Sequence, residues 1–163
     1  MPALPPPTLS NAEHQKRQII YRLLEVSHLM LETRAIYADL AEVTPPQFSI
    51  LTALQEAPGL AVGEVATRLN VSGPFVTMEV RKLRGLGLVT RQPGLADKRR
   101  SELFLTPLGE TRLNLALEER LATNSLIFDR FSPEELEQLD QSLSGLLTGL
   151  QAGLHRLKRP RPG

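Results

Sequence analysis

Four consecutive charged residues, Asp97, Lys98, Arg99 and Arg100, stand between a Pro93-Gly94 break and a strand-like stretch from Ser101 to Thr106. Three cations on a hairpin tip are chemistry for an anion, although a charge run taken alone is most often a solvated loop. A second group, Glu25, His28 and Glu32, shares one helical face at a spacing that suits a metal ion. With a single histidine and no second cluster it reads as an exposed polar face. Nothing else approaches a catalytic constellation. His14, His28 and His155 are scattered, there is no HExxH or phosphate loop, and the glycines of RGLGLV close a helix where a dinucleotide fingerprint would open one. The expectation is a protein that is not an enzyme, with no cofactor and no metal. The absence of cysteine excludes disulfides and thiolate ligands.

The net charge of +1 conceals a segregation along the chain. Arg68 to Arg100 holds eight Lys/Arg against two acids, Glu79 and Asp97, whereas Glu110 to Asp140 holds eight acids against three arginines. The cationic middle third suits a polyanion, and a partner whose affinity comes largely from phosphate neutralisation points to nucleic acid. At 163 residues the chain is about one domain's worth. It has no apolar run long enough for a transmembrane helix, and its start lacks the basic and apolar regions of a signal peptide. A cytoplasmic location is expected.

The elements that must present this charge follow from apolar spacing and helix punctuation. Residues 1–9 carry four prolines and read as a flexible arm. Ser10 or Asn11 caps a helix to about Glu42, with Glu13 at the capping-box spacing and Ile19, Leu23, Val26, Met30 and Tyr37 on one face. A helix of ~30 residues is ~45 Å long, more than a small domain covers, so part of that face calls for another chain. Thr44-Pro45-Pro46 opens a second helix carrying Phe48, Ile50, Leu51 and Leu54. A third runs from about Val62 to Leu69, and a fourth from Ser72-Gly73-Pro74 to about Arg84. Leu88 to Arg91 and Glu102 to Thr106 read as paired strands. Thr106-Pro107 starts one helix toward Phe128, and Ser132-Pro133-Glu134-Glu135 starts the last, with a leucine face to Leu154. Gly145, Gly149 and Gly153 share a four-residue spacing that either permits close packing or only weakens the helix.

Two helices joined by a short turn and followed by a hairpin make a winged helix-turn-helix. Val65, Ala66, Leu69, Val71, Val76, Val80 and Leu83 can close its small core, leaving Ser72, Gly73, Thr77, Met78, Arg81 and Lys82 on the open face that a major groove would meet. The fold class expected is mainly α with a small two- or three-stranded wing, a DNA-binding lobe plus a helical dimerisation domain. The expected boundaries are an arm at 1–9, a dimerisation helix at 10–43, the lobe at 44–107, dimerisation helices at 108–157, and a basic disordered tail at 158–163. A winged-helix module that binds protein rather than DNA is the alternative.

The stretches VTPPQFSILTAL, GLAVGEVATRLNVSGPFVTMEVRKLRGLGLVTR and ADKRRSELFLTPLGE resemble the MarR (multiple antibiotic resistance regulator) family of winged-helix transcription factors. Most specific are the Asp-x-Arg wing motif at Asp97 to Arg99, Leu105-Thr106 with Gly109 after it, and Gly87-Leu88-Val89 opening the wing. The resemblance covers Thr44 to about Leu113 and implies an intertwined homodimer bound to a pseudo-palindromic double-stranded site. It further implies a recognition helix, Ser72 to Arg84, in the major groove, a wing in the adjacent minor groove, and repression that a small phenolic or anionic effector relieves. On that reading Arg99 probes the minor groove with Asp97 orienting it, while Lys98 and Arg100 turn to phosphate or solvent. Ser72 and Lys82 suit phosphate, and Thr77 and Arg81 suit base edges, with Arg91 on the wing. The effector would be lined by Arg34, Tyr37, Phe48 and Arg112. The sequence departs from the family pattern in having Gly73, Pro74 and Phe75 early in the recognition helix, Met78 where arginine is common, and Arg81 where an acid is common. Phe75 either touches a thymine methyl or packs inward.

Overall fold

The computed structural model describes residues 10–94 and 100–159. The chain divides into two compact units, one ending at Glu118 and one beginning at Glu119. In the first, α1 (Asn11–Leu40), α2 (Pro45–Glu56), α3 (Val62–Leu69) and α4 (Gly73–Gly85) precede strands β1 (Val89–Pro93) and β2 (Ser101–Leu105), and α5 (Pro107–Leu115) follows. Helix α6 (Leu117–Phe128) spans the division, and α7 (Pro133–Leu157) belongs to the second unit.

The punctuation read from the sequence forms the expected caps. Ser10 Oγ accepts from the Glu13 N–H at 3.3 Å, Ser72 Oγ from Phe75 at 3.3 Å, Thr106 Oγ1 from Gly109 at 3.1 Å, and Ser132 Oγ from Glu135 at 3.2 Å. Each satisfies a donor that the first helical turn leaves unpaired. The second half of the box at Ser10 goes elsewhere, since the Glu13 carboxylate pairs with Lys16 Nζ at 2.6 Å. Asn70 ends α3 in the left-handed region at φ 53°, a conformation that asparagine tolerates better than most residues.

One expectation is corrected between Pro107 and Phe128. The single helix expected there is two, parted at Ala116, where φ is −96° and ψ 0° and the N–H folds back to the Leu113 carbonyl at 3.2 Å. Ala116 is fully buried, and no Gly or Pro stands at the break.

The core of the first unit gathers Phe48, Ile50, Leu51 and Leu54 of α2 with Val65, Val76, Val80, Leu83, Val89 and Leu103. Ala38 and Ala41 from before the expected boundary at 43/44, and Leu113 and Ala116 from after that at 107/108, join the same core. The wing is antiparallel, with Val89 opposite Leu105 and Pro93 opposite Ser101. Its other edge is taken up at Leu103, which accepts from the Gly59 N–H at 2.9 Å and donates to the Leu60 carbonyl at 3.0 Å. That contact is an isolated bridge beside a two-stranded sheet. In the second unit, α7 exposes Leu143, Leu147, Leu150 and Leu154. A Cβ added at Gly145, Gly149 or Gly153 would meet nothing within 4 Å among the described residues.

Candidate nucleic-acid interface

Helices α3 and α4 meet over Val65, Ala66, Val76, Val80 and Leu83, all buried, with Leu69 half-buried beside them. Val71 is a correction to the expected core: the turn carries it outward to 39 % exposure. The opposite face of α4 presents Ser72, Pro74, Thr77, Met78, Arg81, Lys82 and Arg84 to solvent, with Gly73 half-buried. The Thr77 hydroxyl donates to the Gly73 carbonyl at 3.0 Å, leaving its lone pairs and methyl for a partner. Phe75 is half-buried and lines a cleft with Ile50 and Val76.

The cations of the middle third divide by pairing. Lys82 Nζ lies 2.8 Å from Glu79 Oε1, Arg68 pairs with Glu56, and Arg100 pairs with Glu64 and lies 3.9 Å from Glu102. Arg81, Arg84 and Arg91 are exposed and form no ion pair among the described residues. Arg100, expected to turn toward phosphate or solvent, is exposed and pairs with Glu64 of α3. Glu64 there accepts from the Ala61 N–H at 2.7 Å, and that bond, followed by the Arg100 guanidinium, holds its carboxyl below the ordinary 4.5. Asp97, Lys98 and Arg99 lie outside the described residues. A participant the sequence reading left without a role is Glu79, which is buried and accepts from Gln47 Nε2 at 3.1 Å. Its only local sign was the three-residue spacing to Lys82.

Of the four candidate effector residues, one lines that cleft. Arg34 lines the cleft, of about 390 Å³, with Leu31, Pro46, Arg68 and Phe75, and its Nη1 donates to Ser49 Oγ at 3.3 Å. Phe48 is a core residue, and the Tyr37 ring packs on it at a centroid distance of 6.1 Å. Arg112 pairs with Glu42. Arg68, not singled out from the sequence, is the second arginine of the cleft. His28 and Glu32 sit 3.3 Å apart, but the described residues contain no group of three potential ligands that could hold a metal ion.

The MarR family profile matches residues 41–100. The transcriptional regulator HosA of Escherichia coli O157:H7 is 31% identical over 136 residues, which is 80% of this chain and 90% of that protein. The Staphylococcus aureus MepR–DNA complex superposes with a TM-score of 0.67 at 25% identity, covering 80% of this chain and 94% of MepR. The Sulfolobus solfataricus transcriptional regulator BldR superposes with a TM-score of 0.66 at 28% identity, covering 83% and 99%.

Proposed function

The chain belongs to the MarR family, and from that premise we propose that it is a transcription regulator that binds double-stranded DNA as a homodimer, most simply as a repressor. The observation that carries this reading is the placement of the unpaired cations. Arg81 and Arg84 lie on the exposed face of α4 and Arg91 on β1, while the other described cations of that segment are held by carboxylates. Free guanidiniums on a helix that fits a major groove serve both phosphate and the guanine edge. Phosphate neutralisation then supplies affinity, and Arg81 with Thr77 supplies discrimination. The homodimer is supported by α1, where Ile20, Leu24, Val26, Leu29 and Met30 are all more than half exposed.

The test is selection of bound duplexes from a random pool, followed by equilibrium titration. Arg81→Ala is expected to lose ~1–3 kcal/mol on the selected duplex and much less on random DNA. Arg99→Ala is expected to lose a similar amount, most where the flank is A·T-rich, since a narrow minor groove concentrates negative potential. Failure to enrich any sequence, with no salt-dependent binding to random DNA, would return the protein-binding alternative.

For the effector, the reading is an anionic aromatic molecule in the cleft that holds Arg34, Arg68 and Phe75. A ligand there touches α1, the start of α2 and the start of α4 together, so it is placed to shift the recognition helix. Calorimetry with simple aromatic carboxylates, against Arg34→Ala, tests this. Equal affinity for parent and variant would exclude the cleft.

A further inference from the structure

Glu79 is the only acid on α4 and does not behave as a surface carboxylate. It is 4 % exposed and shares the inward side of the helix with Val76, Val80 and Leu83. Both of its oxygens are engaged, Oε2 by Gln47 Nε2 at 3.1 Å and Oε1 by Lys82 Nζ at 2.8 Å. Gln47 is itself 6 % exposed, and its Oε1 accepts from the Thr44 N–H at 3.1 Å. The main chain at the start of α2 therefore orients the amide, the amide orients the carboxylate, and the carboxylate holds an ammonium on the exposed face of α4.

An ion pair between two exposed side chains is loose, because either partner can swing away. Here the carboxylate is confined by burial and by Gln47, and removing its cation would leave a buried charge without a counter-charge. The pair is thus fixed from the inside, while Lys82 stays half exposed at 54 %. We infer that Glu79, oriented by Gln47, is a positioning residue for DNA recognition. It sets the Lys82 ammonium at one point and cancels its charge, so that α4 meets DNA with Arg81 and Arg84 as its net cations. Cancelling that charge lowers attraction to any phosphate backbone while leaving a fixed N–H donor, which widens the gap between specific and non-specific binding. This inference rests on the DNA-binding reading above.

Glu79→Gln is close to isosteric, keeps an acceptor for Gln47 and removes the charge. Full-length parent, Glu79→Gln and Glu79→Gln/Lys82→Gln are titrated on the selected duplex and on a random-sequence duplex over a range of salt. Light scattering and thermal unfolding accompany the titrations. Glu79→Gln is expected to bind random DNA about fourfold more tightly per protomer at ~0.2 M salt, with a salt slope steeper by ~0.9 per protomer. Its preference for the selected duplex should fall. The double variant, neutral at both positions, should restore the parental slope. A purely structural role for Glu79 would weaken both complexes alike and leave the slope unmoved, and that result overturns the inference. So does a double variant whose slope is shallower than the parent's, for then Lys82 was already acting as a free cation; this second comparison stands even if the single variant folds poorly. A parent protein that binds neither duplex would instead overturn the DNA-binding reading, and this inference with it.

Discussion

Glu64 shows how one side chain can serve two neighbours. Its carboxylate caps α3 through the Ala61 N–H and receives Arg100 from the wing, and its folded pKa lies below the ordinary value of 4.5 for those reasons in that order. A depressed folded pKa means that the unfolded chain binds more protons at low pH. The stability Glu64 contributes is therefore complete above its unfolded value and lost as pH falls through the lower folded value. A carboxyl titration followed by NMR should give a midpoint under 4.5. In Arg100→Gln it should rise only partly, since the main-chain bond is the larger cause; a full return to the ordinary value would reverse that order. The pairing could not be read from the sequence. Glu64 and Arg100 are separated by 36 positions, and only the folded wing brings them together, whereas Arg81 declared its exposure through helical spacing alone.

At the scale of elements, caps and turns were legible because they are local. Ser10, Ser72, Thr106 and Ser132 each needed only the residues just after them. The break at Ala116 was not legible, since alanine favours helix and neither Gly nor Pro marks it. Val71 was missed for a related reason: apolar spacing gives the period but not how far a turn swings a side chain out. Gly109 makes the junction between wing and α5 testable. A Cβ there would sit 2.2 Å from the Leu88 carbonyl oxygen, and that oxygen is already held by the Thr106 N–H at 3.0 Å. Neither backbone can yield cheaply, so Gly109→Ala should destabilise by ~1–3 kcal/mol, the usual range for overpacking. Denaturant unfolding measures it, and a midpoint unchanged from the parent would mean that the junction relaxes freely.

For the whole molecule, α1 leaves large apolar residues uncovered from Ile19 to Leu40, with Leu24 at 62 %, as a helix that meets another chain does. Leu24→Glu should raise the dimer dissociation constant while leaving the helix-turn-helix intact, which sedimentation and circular dichroism separate; an unaltered dimer would show that α1 is not the interface. A two-fold protein also requires two-fold DNA, so footprints should show half-sites ~10 bp apart. Within the lobe, the described part of the wing is fastened at three points. Leu103 is bridged to Gly59 and Leu60, Arg100 is tied to Glu64, and the Thr106 hydroxyl donates to the Gly87 carbonyl at 2.6 Å. The base of the hairpin and the recognition helix thus behave as the two jaws of a locked calliper. When such a tool closes on a flexible rod, the rod does the bending, so the energy of fit is set by the stiffness of the duplex between the jaws. A base pair inserted there should abolish binding outright, where a hinged wing would have followed the groove and lost only part of its grip.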